Sequence, residues 1–233
     1  MNIAIIGYGR MGKTVEKIAT QRGHTISYIH KGGSFNTDEL KDVDVAIEFT
    51  QPDAARENIM NLLELRIPVV SGTTGWLEHK GDADAAAQAN QVGFIYASNF
   101  SLGVNLFFVM NERLARLMSD HPEYVPTIHE IHHTGKKDAP SGTAITAAEG
   151  VLSSYDELTG WTMSGEEGKI SISADRIDPY FGTHEVSYAC SIDTISIKHE
   201  AHSREGFALG AVIAAEWLPG KVGAFDMRDV LGL

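Results

Sequence analysis

The first twenty-three residues restrict the possible folds more than any other stretch. Asn2 to Ile6 is a short β-branched run that closes on Gly7, and glycines recur at Gly9 and Gly12. Met11, Val15, Ile18 and Ala19 then return at helical spacing until Gly23 stops the pattern. A strand with no polar alternation must be covered on both faces, and a strand that turns straight into a helix begins a parallel sheet.

The alternation continues. "HTISYIH" and Val43–Phe49 read as strands, the latter closed by Thr50–Pro52. An amphipathic helix follows, with Asp53 in its first turn. "PVVSGTTG", the Ala-rich "GDADAAAQANQV" and "GFIYASNF" add strand, helix and strand. Alternating elements from residue 2 to about 100 imply a parallel sheet with right-handed crossovers and helices on both faces. Beyond Phe100 the texture changes. A long helix pattern, "SLGVNLFFVMNERLARLM", leads to the extended "YVPTIHEIHH" and the helical "PSGTAITAAEGVLSSY". "GKISISADRID", "GTHEVSYACS" and "DTISIKHEAHS" alternate apolar and polar residues, as half-exposed antiparallel strands do. "REGFALGAVIAAEWLPGK" returns to a helix with Trp217 on its apolar stripe. An α/β half is therefore followed by an α+β half.

Composition narrows the function. With 233 residues the chain has room for one or two domains. A formal charge of −12 removes the basic face that phosphate-backbone binding needs, so nucleic acid is not an expected partner. No apolar run approaches the ~20 residues of a membrane span. The start "MNIAIIGYG" enters a strand pattern directly and lacks the charged leader of a signal peptide. Cys190 has no second cysteine to pair with and is expected to be a small buried residue in "SYACSI". A reducing cytoplasm fits these features.

The loop Gly7-Tyr8-Gly9-Arg10-Met11-Gly12 has the GxGxxG spacing in its required setting, after a buried strand and opening a helix. Gly7 permits the tight turn, Gly9 lets a pyrophosphate approach the backbone, and Gly12 lets helix and strand pack closely. Free N–H groups at the helix start complete a dinucleotide site. The second strand ends in Ile29-His30-Lys31-Gly32-Gly33, with no acid before Asp38. An acid there would favour NADH, whereas His30 and Lys31 allow a 2′-phosphate and hence NADPH. A solvated turn explains Lys31 equally well. Phe49-Thr50, Gly72-Thr73-Thr74 and Ser98-Asn99-Phe100 also fall at strand carboxyl ends, where the ligand crevice of such a sheet lies. They are expected beside the nicotinamide and its ribose.

The densest chemistry lies in "EIHHTGKKDAPSGTA", residues 130–144. Ser141, Gly142 and Thr143 begin a helix whose N–H groups suit a carboxylate. His132, His133 and Lys136 come just before it and can supply a proton and hold an anion. Lys137 reads as a solvated neighbour and Asp138 as a turn or orienting residue. A catalytic metal is not expected: there is no HExxH, and on a strand His129 and His133 share a face that His132 opposes. Arg204, in "HSREGF", is a candidate contact on closure about hinges near 101–103 and 203–206.

These residues resemble the dihydrodipicolinate reductase family. The signature E-x-H-H-x-x-K-x-D-A-P-S-G-T-A is matched from Glu130 to Ala144, and Gly9–Gly12, the "FT.P" and "GTTG" loops, "NFS.GVN" at Asn99–Asn105 and "FDMRDVL" at Phe225–Leu231 match as well. The resemblance implies an α/β fold: a Rossmann-like doubly wound domain from residues 1–102 and 205–233, and an inserted α+β substrate and oligomerisation domain from 103–204. It implies reduction of 4-hydroxy-tetrahydrodipicolinate by NADPH or NADH in diaminopimelate and lysine biosynthesis, and a homotetramer. His132 would be the general acid with Lys136 as its partner. His133 and Ser141–Gly142–Thr143 would hold the dicarboxylate substrate. The segment from His30 to Val43 is shorter than in many members, and the glycine loop is one residue shorter. An NADP-dependent dehydrogenase of another two-domain family would share the glycine loop without needing the His-His-Lys cluster. A nucleotide-sensing regulator would tolerate its loss.

Overall fold

The computed structural model describes residues 1–203 and 205–233; Arg204 lies outside the described residues. The chain divides into two compact units. One joins Met1–Leu102 to Glu205–Leu233, and the other is the stretch between them.

In the first unit the strands are β1 (Asn2–Ile6), β2 (Thr25–His30), β3 (Val45–Glu48), β4 (Val69–Ser71), β5 (Gly93–Tyr96) and, numbered in chain order, β11 (Gly223–Phe225). They form one sheet in the order β11-β5-β4-β3-β1-β2, and every pairing is parallel. Helices α1 (Arg10–Gln21) and α6 (Glu205–Trp217) cover one face, burying Ile3, Ile5, Val15, Ile47, Val70 and Val212. Helices α2 (Pro52–Glu64) and α3 (Lys80–Ala89) cover the other, over Ala4, Ile6, Leu62, Leu63, Val69 and Phe94. The inner strands β1, β3, β4 and β5 lack polar alternation because both of their faces are dry, whereas the edge strand β2 keeps exposed positions. Complete burial of each Ile, Leu or Val stabilises the fold by about 1.5–3 kcal/mol.

Two close approaches depend on glycine. A Cβ on Gly12 would fall 2.2 Å from the Gly7 carbonyl oxygen, so α1 rests on the turn before it. A Cβ on Gly210 would fall 1.7 Å from the Phe100 carbonyl oxygen, so α6 lies directly on the chain leaving β5.

The tail after α6 adds two elements that periodicity cannot reveal. Strand β11 has only three residues, and α7 (Met227–Leu231) has five. Asp226 caps α7, accepting hydrogen bonds from the Arg228 and Asp229 N–H groups while the Asp229 carboxylate accepts from the Asp226 N–H.

The second unit contains α4 (Leu102–Met118), β6 (Val125–His132), α5 (Gly142–Leu152), β7 (Trp161–Thr162), β8 (Ile170–Arg176), β9 (Thr183–Ala189) and β10 (Thr194–Glu200). Its sheet runs β10-β9-β6-β8-β7. Strand β9 is antiparallel to both β6 and β10, but β8 runs parallel to β6, and β7 parallel to β8. The expectation of a purely antiparallel set is therefore corrected. Alternation reports which face is wet and says nothing about direction; the crossover through α5 returns β8 to the same end as β6. One sheet face buries Ile128, Ile170, Ile172, Val186 and Tyr188 against Phe107, Ala115, Ala144, Ala148 and Val151.

Cys190 is also corrected. It sits half-buried at the β9–β10 turn, its Sγ accepting from the Ile192 N–H at 3.4 Å and lying 3.7 Å from Asp193 Oδ1. It serves the turn rather than the core.

Candidate active site

In the first unit the strand order reverses between β1 and β3, because the chain goes from β1 outward to β2 and then back across to β3. Ligands bind at the carboxyl ends of strands at such a point. Gly7 and Phe49 stand there on either side of the reversal. Gly7 has φ 94°, and a Cβ would sit 2.0 Å from the Phe49 carbonyl oxygen, so only glycine fits. Gly9, by contrast, is exposed and has open space where a side chain would be. It caps α1 without any side-chain hydrogen bond, which leaves first-turn N–H groups for a ligand.

A cavity of about 1060 Å³ opens at this place, lined among others by Gly7, Gly9, Lys31, Phe35, Thr50 and Asn58. An open glycine backbone, a helix start without a side-chain cap and a cavity of this size fit a dinucleotide.

His30 is buried and packs edge-on to Phe35 at 4.5 Å, and burial pushes its pKa down. It is thus a poor partner for a phosphate. Lys31 is exposed, with Nζ 5.2 Å from the centre of the Tyr8 ring; Lys13 lies 5.9 Å from the same ring. The Tyr8 hydroxyl donates to Glu16, which raises the phenol's pKa. Arg10 is exposed and Met11 half-buried.

The remaining loops are tied together by Glu48, which sequence reasoning did not single out. Its fully buried carboxylate accepts from Ser71 Oγ at 2.6 Å, Thr73 Oγ1 at 2.7 Å and the Thr50 N–H at 2.9 Å, and also from the Thr50 hydroxyl. Thr73 is therefore a buried strut, whereas Thr74 is exposed. A Cβ on Gly72 would collide with the Phe49 ring at 2.1 Å, so glycine there seats that ring. Ser98 is exposed, Asn99 accepts from the Ser101 N–H at 2.9 Å, and Phe100 is a core residue against Phe49.

In the second unit, β6 carries Glu130 and His132 on its buried face, while His129 lies on the opposite, wetter face. Glu130 is fully buried. Its carboxylate accepts from the Ser141 N–H at 3.1 Å and from Arg176 Nη2 at 3.1 Å, and lies 3.3 Å from His132 Nε2. His184, from β9, places Nε2 3.3 Å from His132 Nε2 and 3.1 Å from Ser141 Oγ. Burial pushes the Glu130 carboxyl up, but the contacts from His132, His184 and Ser141 outweigh it and hold the group well below the usual carboxylate range. Burial outweighs the nearby Glu130 carboxylate and pushes the His184 pKa down, which favours its neutral form.

Ser141 is the N-cap of α5: its Oγ accepts from the Ala144 N–H at 3.2 Å. Its own N–H is taken by Glu130, so the N–H that a substrate could reach lies further along, at Gly142. Gly142 is exposed, with open space around it, and Thr143 is half-buried. Lys136 is mostly shielded and pairs with Asp138 at 2.8 Å, which lowers the Asp138 pKa. Arg176 also donates to the Lys136 carbonyl and the Asp138 carbonyl, pinning the loop to β8. His133 follows β6 half-exposed, and Lys137 is exposed.

Glu130, His132 and His184 present ligand atoms within 4.8 Å of one another, the spacing of a metal site. The Arg176 guanidinium on the same carboxylate already supplies the positive charge that the acid needs, and it opposes a second cation. Arg176 and His184 were not found from sequence. They lie 46 and 54 residues beyond Glu130, and only strand pairing brings them to it.

The chain matches two family descriptions: "Dihydrodipicolinate reductase, N-terminus" over residues 1–100 and "Dihydrodipicolinate reductase, C-terminus" over 103–231. It is 50% identical over 234 aligned positions to a 4-hydroxy-tetrahydrodipicolinate reductase of Christiangramia forsetii, covering 99% of this chain and 98% of that one. A Neisseria gonorrhoeae protein of the same name is 36% identical, over 83% of this chain and 74% of its own. Among solved structures, a dipicolinate-bound dihydrodipicolinate reductase from Paenisporosarcina sp. TG-14 superposes with a TM-score of 0.77 at 21% identity, over 98% of each chain.

Proposed function

The chain belongs to the dihydrodipicolinate reductase family, and from that premise we propose how its own residues carry the reaction. It is an NAD(P)H-dependent oxidoreductase that reduces 4-hydroxy-tetrahydrodipicolinate to tetrahydrodipicolinate in diaminopimelate and lysine biosynthesis. When bound, the nicotinamide supplies a hydride to C4 of the ring, from which the 4-hydroxyl is lost as water.

The chain supplies the rest. Gly7, Gly9 and the first turn of α1, with Tyr8, Arg10, Met11 and Gly12 around them, hold the dinucleotide. Thr50, Gly72, Thr73 and Ser98–Phe100 form the wall beyond. His132 gives the ring carbon next to C4 its proton, and Lys136 offsets the charge that develops. His133, Gly142 and Thr143 bind the two carboxylates, with Ser141 holding the helix start in shape. Such positioning lowers a barrier by roughly 7–11 kcal/mol, and proton donation adds about 10²–10⁴-fold.

The single observation behind this reading is the buried Glu130, which contacts the His132 imidazole and the Ser141 helix start and is linked through Arg176 to the loop that carries Lys136. In assays that follow reduced nicotinamide with freshly generated substrate, His132→Ala and Lys136→Ala are expected to lower kcat by about 10² or more, with NADPH affinity unchanged. Equal loss of cofactor affinity and turnover would show that these residues serve another purpose.

The cofactor is NADPH, NADH or both. Lys31 favours the 2′-phosphate, so Lys31→Ala should weaken NADPH more than NADH in titrations of intrinsic fluorescence. A cytoplasmic homotetramer is the assembly we expect. It is supported by β10, an edge strand with Ile195 43% exposed beside a turn with Ile192 87% exposed. Light scattering that gives a monomer mass would refute it. Among the described residues no helix is long and apolar enough to cross a membrane.

A further inference from the structure

The reading of His132 as the acid leaves open which ring nitrogen moves the proton and what fixes it. We propose that Glu130 is a positioning residue that holds the Nε2–H of His132 and so makes Nδ1 the proton-transfer atom; the inference rests on the function proposed above.

Glu130 Oε2 lies 3.3 Å from His132 Nε2. A buried carboxylate can only accept, so the nitrogen facing it must carry hydrogen. Glu130 is itself immobile: Arg176 Nη2 grips Oε1 at 3.1 Å, and the Ser141 N–H meets both oxygens at 3.1–3.2 Å. It is the same division of labour as a buried acid orienting a catalytic imidazole, where one ring nitrogen is held and the other works.

The neighbouring histidine shares the same corner, with its Nε2 3.3 Å from His132 Nε2 and 3.6 Å from Glu130 Oε2, a longer approach to the carboxylate than that of His132. Ser141 Oγ accepts from the Ala144 N–H and keeps its own hydrogen free to be donated to His184 Nε2 at 3.1 Å. With its Nε2 accepting from Ser141, His184 offers only a lone pair to this corner, so the hydrogen between the two rings lies on His132 Nε2, the nitrogen nearer to Glu130.

The other edge of the His132 ring is kept clear by Gly182. A Cβ there would lie 3.2 Å from His132 Cε1, tighter than ordinary contact, and would touch Nδ1 at 3.4 Å. The charged and titratable groups around the ring come from every packed element. They are Glu130 on β6, His184 on β9, Arg176 at the end of β8, and Lys136 with Asp138 on the following loop.

The test reads the tautomer directly. Full-length protein labelled with ¹⁵N-histidine is examined by long-range ¹H–¹⁵N correlation, with His132 assigned by its absence from His132→Asn. The expected neutral form carries hydrogen on Nε2. Hydrogen on Nδ1 in the unmodified protein overturns the proposal; His132→Gln serves for the assignment where His132→Asn does not fold. In Glu130→Gln, kcat should fall about 10²-fold while the KM for substrate and the NADPH affinity stay within about threefold, and the tautomer preference should be lost. A kcat within threefold of the unmodified enzyme also overturns it. The function itself stands or falls separately, on whether His132→Ala turns over.

Discussion

At the scale of single residues, the two units rest on one buried carboxylate each. Glu48 binds three loop ends of the nucleotide unit, and Glu130 gathers four groups from three strands and a helix start. The consequence for stability has a definite sign. The Glu130 carboxyl is held below its ordinary range in the folded state, so its ionisation stabilises the fold above the unfolded-chain value of about 4.3. That contribution drains away as pH falls below this value toward the depressed folded one. Glu130→Gln should therefore be less stable than the parent at pH 7 in urea titrations, and the gap should narrow as pH falls below about 4. A gap that widens with acid would contradict the assignment. Gly7 makes a second case. Any side chain there meets the Phe49 carbonyl and must also accept φ 94°, so Gly7→Ala should lower stability and dinucleotide affinity together.

At the scale of elements, helix placement is set by what the helix rests on. The buried side of helix α6 is Ala208, Gly210, Ala211, Val212, Ala214 and Ala215, and its Gly210 lies against the Phe100 carbonyl. Gly210→Ala would gain helix propensity of about 1 kcal/mol yet force the helix off the chain beneath. Overpacking of this kind costs about 1–3 kcal/mol, and thermal unfolding should show a net loss. Helix α5 depends on its cap instead. Ser141→Ala should cost about 0.5–2 kcal/mol, and it also removes the hydroxyl that faces His184, so turnover should fall with it. The elements were legible where their periods were long. The spacing of Val15, Ile18 and Ala19 marks the buried side of α1, and all three are buried. Direction was not legible: nothing in "GKISISADRID" distinguishes a strand parallel to β6 from one antiparallel to it.

At the scale of the whole molecule, the chain leaves the first unit at residue 102 and returns at 205 to finish its sheet. The last strand, β11, pairs with β5 over Gly223–Phe225, and α7 after it buries Met227. A chain cut after Leu218 should thus expose the β5 edge and lower the melting temperature, with aggregation visible in light scattering. An unchanged melting curve would mean that the tail is dispensable.

The glycine loop, the alternating elements and the run from Glu130 to Ala144 were available from sequence, because each is a local pattern whose period or spacing is its meaning. The pairing of Glu130 with Arg176 and His184, the hold of Glu48 on Thr50, Ser71 and Thr73, and the parallel course of β8 were decided only by tertiary structure. Those contacts join residues far apart in the chain, and burial selects their partners by geometry that no short stretch encodes.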